Sequence, residues 1–311
     1  MKKMFLLNFS FMGAGYSMSS ISASRSGSPD HPPDQAKTGL GDLPESCISY
    51  ILAYLDPPEI CKLAQVNRVF RSASSADFVW QSKLPSNYKC LLEKSLLALD
   101  EHNSNRTPKK DLYSRLCRPN LFDNGTKEIW LDKSCGSHPQ VCVSISSKAL
   151  RITGIDDRRY WSNIPTEESR FNRVAYLKHI WWLEALGELE FEFPPGSYSL
   201  YFRLQLGKTC SGRFGRRVCS TDLVHGWDNK PVRFHLSTSD GQRGLSEYYL
   251  HERCSWVHYH VGDFVSHSPK PMKIKFSMIQ IDCTHTKGGL CLDSVLICPT
   301  KLREKLMKCS L

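Results

Sequence analysis

The chain has 311 residues, of which 41% are hydrophobic and 11% aromatic, and its formal net charge is +10. This length suffices for two domains, or for one large domain with an appendage, and excludes a miniature scaffold. The positive charge is spread along the sequence, so no nucleic-acid partner is expected. The densest basic groups, around Arg158 and Arg159 and around Arg213, Arg216 and Arg217, are interpreted as solvated loops.

The N-terminal segment has no clear targeting signal. Polar residues interrupt its apolar run, which makes a poor signal peptide. A start at Met12 would make Gly13 a myristoylation acceptor, but a single acyl chain gives only marginal membrane binding. Residues 17–39 are rich in Ser, Pro and Gly, which favours disorder. No apolar run is long enough to span a membrane, so stable membrane insertion is not expected.

A bundle of short helices is predicted next. Asp42 is placed to cap a helix with Pro44 in its first turn, and Asp56 and Pro57 repeat this arrangement for a second helix. The apolar stripe consists of Ile48, Ile51, Leu52 and Leu55 in the first helix and of Ile60, Leu63 and Ala64 in the second. Because so small a core is marginal alone, the module either packs on the rest of the chain or offers its stripe to a partner.

This module resembles an F-box in the stretch "LPESCISYILAYLDPPEICKLAQVNRVFRSA". Trp80 stands where many F-boxes have a late Trp, and Phe70 replaces the Trp of many F-boxes with another aromatic ring. The resemblance implies binding to the adaptor subunit of a cullin-RING ubiquitin ligase. The adaptor-binding residues that it implies are Leu43, Pro44, Ile51, Leu52, Leu55, Pro57, Ile60, Leu63 and Val66.

Short runs of alternating hydrophobicity follow and predict an all-β sandwich of jelly-roll type. The predicted strands are 128–132, 141–146, 151–153, 173–184, 186–193, 198–206, 232–237, 255–262, 273–282 and 290–298. One face of "SYSLYFRLQLG" consists of Tyr198, Leu200, Phe202, Leu204 and Leu206. A helix stays open as an alternative for "PTEESRFNRVAYL".

The fold class is therefore α plus β in two domains, a small N-terminal helical module followed by the sandwich. We assign residues 1–39 to a disordered segment, 40–88 to the F-box, 89–126 to a helical connector, 127–299 to the strand domain and 300–311 to a tail.

Catalytic and metal-binding motifs are missing from the sequence. It contains no GxSxG, Walker, dinucleotide or HExxH pattern, so no catalytic residue and no cofactor are expected. His251, His258, His260 and His267 lack a carboxylate or thiol at a ligand spacing and are interpreted as ordinary strand histidines, with no metal.

Thirteen cysteines occur without a CxxC pair. This excludes the common zinc-finger and thioredoxin-like spacings. Cys142, Cys291 and Cys298 lie in apolar runs, where a thiol acts as a small hydrophobic group. The sequence therefore predicts free thiols in a reducing compartment.

The strand domain resembles the phloem protein 2 family of plant lectins, the Nictaba-like domain. The resemblance rests on the region around "RITGIDDRRYWSNI", on "PPGSYSLYFRLQLG" and on "IDCTHTKGGLCLDSVLICP". Together with the F-box, it identifies the chain as a member of the plant F-box proteins of the phloem protein 2 A group. It implies that the target is an N-acetylglucosamine oligomer, an N-glycan or a glycoprotein, bound by aromatic stacking, and we expect the chain in the cytoplasm and nucleus.

Two tryptophans form the sugar site in this family. The second matches Trp161, with Tyr160 beside it, whereas the first falls on Gly154. Near the end of the domain, Gln280 stands where the family has an acidic residue. Weak or altered sugar affinity is therefore expected, and an acidic or protein target selected by the neighbouring arginines is the alternative.

Two functions remain open. The first is a substrate-recognition subunit of a ubiquitin ligase, which does no chemistry itself. The second is a free lectin in stress or defence signalling, whose helical segment merely packs on the sandwich. In either case Trp181 and Trp182, which lie in a predicted strand, are expected in the core.

Overall fold

The computed structural model describes residues 43–94, 107–132, 140–211, 217–268 and 270–308. Its helices are α1 Glu45–Ala53, α2 Pro57–Leu63, α3 Arg68–Ala73, α4 Asp77–Gln81, α5 Tyr88–Lys94, α6 Lys109–Leu116 and α7 Arg303–Lys308. The expected disordered segment, the myristoylation site at Gly13 and the Asp42 cap lie outside the described residues.

Local sequence signals explain the ends of the first two helices. Helix α2 has Asp56 at its N-cap and Pro57 at its first position, as predicted, and the Asp56 N–H donates to the Glu59 carboxylate at 3.4 Å. Helix α1 begins at Glu45, so Pro44 is the N-cap residue and not part of the first turn. At the other end of α1, Lys83 Nζ donates to the Ala53 carbonyl at 2.8 Å.

The four short helices α1 to α4 surround a common core. Ile48 and Leu52 of α1, Ile60 of α2 and Phe70 of α3 are buried there, as is Trp80 of α4. The indole N–H of Trp80 donates to a backbone carbonyl at 2.6 Å, which satisfies its polar atom inside the core. Of the predicted apolar stripe, Ile48, Leu52 and Ile60 therefore lie in the interior of this bundle, whereas Ile51 is exposed.

The rest of the described chain is mainly strand. The strands are β1 Asn120–Phe122, β2 Lys127–Leu131, β3 Val141–Ser146, β4 Arg151–Ile152, β5 Trp161–Pro165, β6 Arg173–Leu177, β7 Leu183–Glu192, β8 Gly196–Leu206, β9 Lys208–Ser211, β10 Arg217–Ser220, β11 Val232–Thr238, β12 Arg243–Tyr248, β13 Val257–Ser266, β14 Pro271–Gln280 and β15 Leu290–Pro299. The open alternative of a helix before β6 is wrong, because turns precede the strand. The predicted strand 173–184 is also wrong in its extent, because β6 ends at Leu177.

These strands form two antiparallel sheets and a hairpin. In the eight-stranded sheet, β15 pairs with β8 along one side and with β3 and β6 along the other; β1–β2, β5 and β13 extend it. The five-stranded sheet has the order β12-β11-β14-β7-β4, and β9 pairs with β10. The Phe202 ring of the first sheet lies 5.4 Å from the Phe234 ring of the second, so the sheets face each other across the core.

The predicted inward face of β8 is confirmed. Its members Tyr198, Leu200, Phe202, Leu204 and Leu206 are all buried in the main core. The fold class is confirmed as well, with an N-terminal helical F-box region followed by a mostly β domain.

The helical bundle and the β domain share one contiguous set of buried hydrophobic residues. The Asn87 amide, just before α5, donates to the Glu192 carbonyl of β7 at 2.6 Å. Lys94 Nζ of α5 lies 5.4 Å from the centre of the Phe191 ring. The small bundle therefore packs on the sandwich, which supplies the stability that its own size does not provide.

The prediction that the cysteines are free thiols is wrong at one pair. Cys219 in β10 forms a disulfide with Cys254, with a Cα–Cα distance of 5.8 Å. Cys142, Cys291 and Cys298 are buried thiols, as the apolar runs around them predict. The disulfide joins the hairpin to the segment that leads into β13.

Candidate functional site

The predicted adaptor-binding residues divide into exposed and buried groups. Leu43 and Pro44 before α1, Ile51 on α1 and Val66 after α2 are exposed. The side chain of Val66 is 66% exposed, and that of Ile51 is 41% exposed. These four residues form part of an apolar surface that the described chain leaves uncovered.

The other predicted adaptor contacts need correction. Leu52, Pro57 and Ile60 are buried, and the side chains of Leu52 and Ile60 belong to the core of the bundle. Leu55 and Leu63 are half-buried against the same core. In this fold Leu52, Pro57 and Ile60 shape the helices and offer no side-chain surface to a partner.

Sequence reasoning missed three aromatic residues of this surface. Tyr50, Tyr54 and Phe78 are exposed, and the rings of Tyr50 and Phe78 are 5.0 Å apart. The signal was present, because Tyr54 lies three residues after Ile51 and four after Tyr50, so that all three share one side of α1. We call Leu43, Tyr50, Ile51, Tyr54, Val66 and Phe78 the F-box surface.

Stacking on a sugar, which the resemblance implies for Trp161, needs an exposed ring, and the structure does not provide one. The Trp161 side chain is only 2% exposed, and its indole N–H donates to the Thr153 carbonyl at 2.9 Å. Tyr160 is half-buried, with its ring centre 5.5 Å from that of His179 and 5.5 Å from the Arg159 guanidinium. The structure thus brings the two predicted residues together but makes Trp161 part of the core.

A cavity of about 490 Å³ lies beside Trp161. Its polar lining includes Lys148, Asp156, Arg158, Ser162, Asn163 and Lys178. Lys178 fixes the loop at its edge, since its N–H donates to the Tyr160 carbonyl at 2.7 Å and its Nζ donates to the Arg158 carbonyl at 2.6 Å. These groups can hydrogen-bond the hydroxyls of a ligand, while Trp161 supplies one buried wall.

Gly154 lies in the same loop, and its backbone conformation explains why this position has no aromatic side chain. Its φ is +69°, a conformation that side chains rarely adopt. An added Cβ would lie 3.2 Å from the Tyr160 ring and 3.9 Å from Ile180.

The same loop holds an ion pair. Arg159 donates to Asp157 at 2.7 Å, and this hydrogen bond lowers the pKa of the Asp157 carboxyl.

The expectation that Trp181 and Trp182 belong to the core is wrong as well. They lie in the loop between β6 and β7 and are 52% and 45% exposed. Gln280, which stands where the family has an acidic residue, is buried, and its amide donates to the Lys230 carbonyl at 3.0 Å. The structure therefore exposes the tryptophans for which the sequence predicts burial, and buries the one for which it predicts exposure.

The histidine cluster separates into different environments. Burial lowers the pKa of His258 to about 4, with the neighbouring Arg203 acting in the same direction. His260 instead contacts Asp263 at 2.8 Å and Arg303 at 2.8 Å. Within the described ranges, no three potential ligands lie close enough together to hold a metal ion. In the same ranges, no helix has both the length and the apolar character needed to cross a membrane.

Comparison with known proteins agrees with this architecture. The family model "Phloem protein 2" matches residues 140–299, and the model "F-box-like" matches residues 40–85. The chain belongs to the phloem protein 2 family. It is a plant F-box protein of the A group of that family, because four Arabidopsis thaliana relatives with that designation are 53% to 59% identical to it and match over 88% to 93% of their own length.

One such relative, "F-box protein PP2-A13", is 59% identical over 87% of this chain and 92% of its own length. Another, "F-box protein PP2-A12", is 56% identical over 88% of this chain and 91% of its own length. A solved carbohydrate-binding module, TmCBM61 in complex with β-1,4-galactotriose, aligns at 16% identity and a TM-score of 0.27, covering 48% of this chain and 86% of that one. A likeness this low carries no argument, so the family assignment rests on the sequence matches.

Proposed function

We propose that this phloem protein 2 family member is the substrate-recognition subunit of a cullin-RING ubiquitin ligase. Its F-box would bind the adaptor subunit, and its β domain would bind a glycan or glycoprotein target. The observation that carries the proposal is the F-box surface, whose apolar residues the described fold leaves exposed although a shared core lies directly beneath them.

In this role the chain does no chemistry itself. It holds the target near the charged ubiquitin carrier, which raises the effective concentration of the reacting groups. The proposed location is the cytoplasm and nucleus, where such a ligase would meet its targets.

Adaptor binding by the full chain tests the first half of the proposal. Ile51→Asp and Val66→Asp each place a charge on the F-box surface without touching its core, so both should weaken adaptor binding at least about tenfold. Leu245→Asp is the matched control, because Leu245 is 64% exposed on β12, far along the chain from the F-box. Equal binding by all three variants and the unmodified chain would remove the adaptor from the proposal.

Glycan binding tests the second half. The support for it is the polar cavity beside Trp161, together with the family match of the β domain. The full chain should bind chito-oligomers or N-glycan cores on a glycan array. A chain that binds the adaptor but no glycan would keep the ubiquitin-ligase role and exclude a sugar target.

The second candidate is a lectin that acts without ubiquitin. The contact of Asn87 with the Glu192 carbonyl is the observation behind it, because a helical segment that packs on the sandwich needs no adaptor to be held in place. Glycan binding without any adaptor binding would decide for this candidate.

A further inference from the structure

Two adjacent tryptophans are exposed although the fold has a large apolar core. Trp181 and Trp182 lie in the short loop between β6 and β7, each about half exposed. Each indole ring therefore keeps a large apolar area in contact with water, which a stacked ligand can cover. We call these two residues the tryptophan pair.

A buried lysine holds the loop of the tryptophan pair in place. Lys287 is 0% exposed, and its Nζ donates to the Trp181 carbonyl at 2.5 Å and to the Asp282 carbonyl at 2.7 Å. Its backbone N–H and C=O also pair with Ile180, at 2.8 Å each. Because a buried ammonium group is costly unless it is hydrogen-bonded, these bonds are fixed parts of the structure and keep the two loops together.

The second loop carries the carboxylate of Asp282, and the backbone carbonyls of Asp282 and Trp181 both accept from Lys287 Nζ. Asp282 Oδ1 accepts hydrogen bonds from the Thr284 N–H at 2.8 Å and from the Thr284 hydroxyl at 2.5 Å. These bonds lower the pKa of Asp282, so its side chain is ionised at neutral pH. Among the described residues none donates to Asp282 Oδ2, which leaves one acceptor for a ligand hydroxyl.

The cavity beside Trp161 is continuous with this loop along the chain. Lys178, at the edge of the cavity, precedes Trp181 by three residues, which span at most about 11 Å of extended chain. Ile180, directly before Trp181, faces the position where Gly154 lacks a side chain. A ligand longer than one sugar ring could therefore contact the cavity and the tryptophan pair together.

We propose that the tryptophan pair and Asp282 form the principal sugar-binding surface of this chain, for an oligosaccharide of β-linked pyranoses with equatorial substituents. Such rings present faces of C–H groups that stack on indoles, and their hydroxyls need acceptors such as the Asp282 carboxylate. Lys287 is a positioning residue, since it ties the Trp181 backbone to the Asp282 backbone. The proposal rests on the glycan half of the proposed function and names its site.

Titration of the full chain with chitotriose, followed by calorimetry, tests the site. Trp181→Ala, Trp182→Ala and Asp282→Asn should each weaken binding at least tenfold. Tyr249→Ala is the matched control, since Tyr249 is another half-exposed aromatic residue, placed after β12, and this variant should bind within twofold of the unmodified chain. Melting temperatures of all variants should stay close to that of the unmodified chain, because the changed aromatic rings are about half exposed and Asp282→Asn keeps an oxygen that can accept from Thr284.

A second readout is iodide quenching of tryptophan fluorescence. Chitotriose should protect the unmodified chain from iodide and should give no added protection in the Trp181→Ala, Trp182→Ala double variant. If the unmodified chain binds chitotriose and the three variants bind it equally well, this site is overturned while the glycan function stands. If the unmodified chain binds no sugar on the array or in solution, the glycan function fails and the site falls with it. Protection of the pair by an added protein instead of a sugar would also overturn the proposal.

Discussion

The F-box surface and the loop of the tryptophan pair expose aromatic residues for different reasons. On α1, Ile51 and Tyr54 are exposed while Leu52 is buried, as the helical period requires. In the β domain, the buried ring is Trp161 and the exposed rings are Trp181 and Trp182, which no short-range period distinguishes. A helix thus determines which of its residues face outward, whereas a loop leaves that choice to distant contacts.

Particular partners show how distant these contacts are. The Trp161 indole is satisfied by the Thr153 carbonyl, which is eight residues away across a turn. The Trp181 carbonyl is held by Lys287, which is 106 residues away in the sequence. The position of the Trp181 loop therefore depends on a pairing that only the complete fold creates.

The largest expected difference in stability is between alanine substitutions of the buried tryptophan and of an exposed one. Trp161→Ala should lower the free energy of unfolding by about 3–5 kcal/mol, because it leaves a cavity and a carbonyl without its donor. Trp181→Ala should change it by no more than about 0.5 kcal/mol, because its side chain is half exposed. Urea unfolding of the full chain measures both. Similar losses in the two variants would contradict the assignment of Trp161 to the core.

The elements that could be predicted from sequence are those with a local cause. The cap at Asp56 and Pro57 defined the start of α2, and the alternation of β8 identified its buried face. The order of a helical module and a strand domain followed from the change of period along the chain. These features depend on residues within a few positions of each other, so a single sequence is enough to find them.

The features that sequence reasoning missed have long-range causes. Strand β5 has only five residues, and among the described strands it pairs only with β6, so its alternation is too short to recognise. The loop after Leu177 interrupts the apolar run 173–184, which the sequence predicts to be one strand. The disulfide joins residues that are 35 positions apart and carries no spacing motif. Each of these needs the sheet to be assembled before it can form.

The next effect in size separates adjacent residues of α1. Leu52→Ala removes a fully buried side chain and should cost about 2–5 kcal/mol of unfolding free energy. Ile51→Ala alters an exposed side chain and should cost no more than about 0.5 kcal/mol, while weakening adaptor binding. Parallel urea unfolding and adaptor titration distinguish the two roles. Loss of stability in Ile51→Ala would show that the two regions differ less than the structure indicates.

The disulfide extends the comparison to a covalent long-range contact. Cys219→Ser should lower the free energy of unfolding by about 2–4 kcal/mol under oxidising conditions, because the open loop gives the unfolded chain more freedom. Cys61→Ser, at an exposed thiol of α2, is the control and should leave stability within about 0.5 kcal/mol. Thermal unfolding with and without a reducing agent measures the difference. If the reducing agent does not change the melting temperature of the unmodified chain, the disulfide is absent in solution.

The smallest predicted effect appears only as pH changes, at a polar side chain of the β domain. Burial lowers the pKa of His258 from 6.5 to about 4, and its Nδ1 has no hydrogen-bond partner among the described residues. Arg203 opposes protonation and Asp293 favours it, and the first influence is the larger. Between these two pKa values the unfolded chain binds a proton that the folded chain does not. Stability therefore falls as pH is lowered from 6.5 towards 4, by at most on the order of 3 kcal/mol.

His258→Gln removes the titrating group, so its unfolding free energy should depend less on pH than that of the unmodified chain across this window. The acidic residues contribute equally to both chains, and subtracting the two curves isolates the histidine. Parallel curves would mean that His258 is protonated in the fold as easily as in the unfolded chain. Its ring would then be accessible to water in the folded chain.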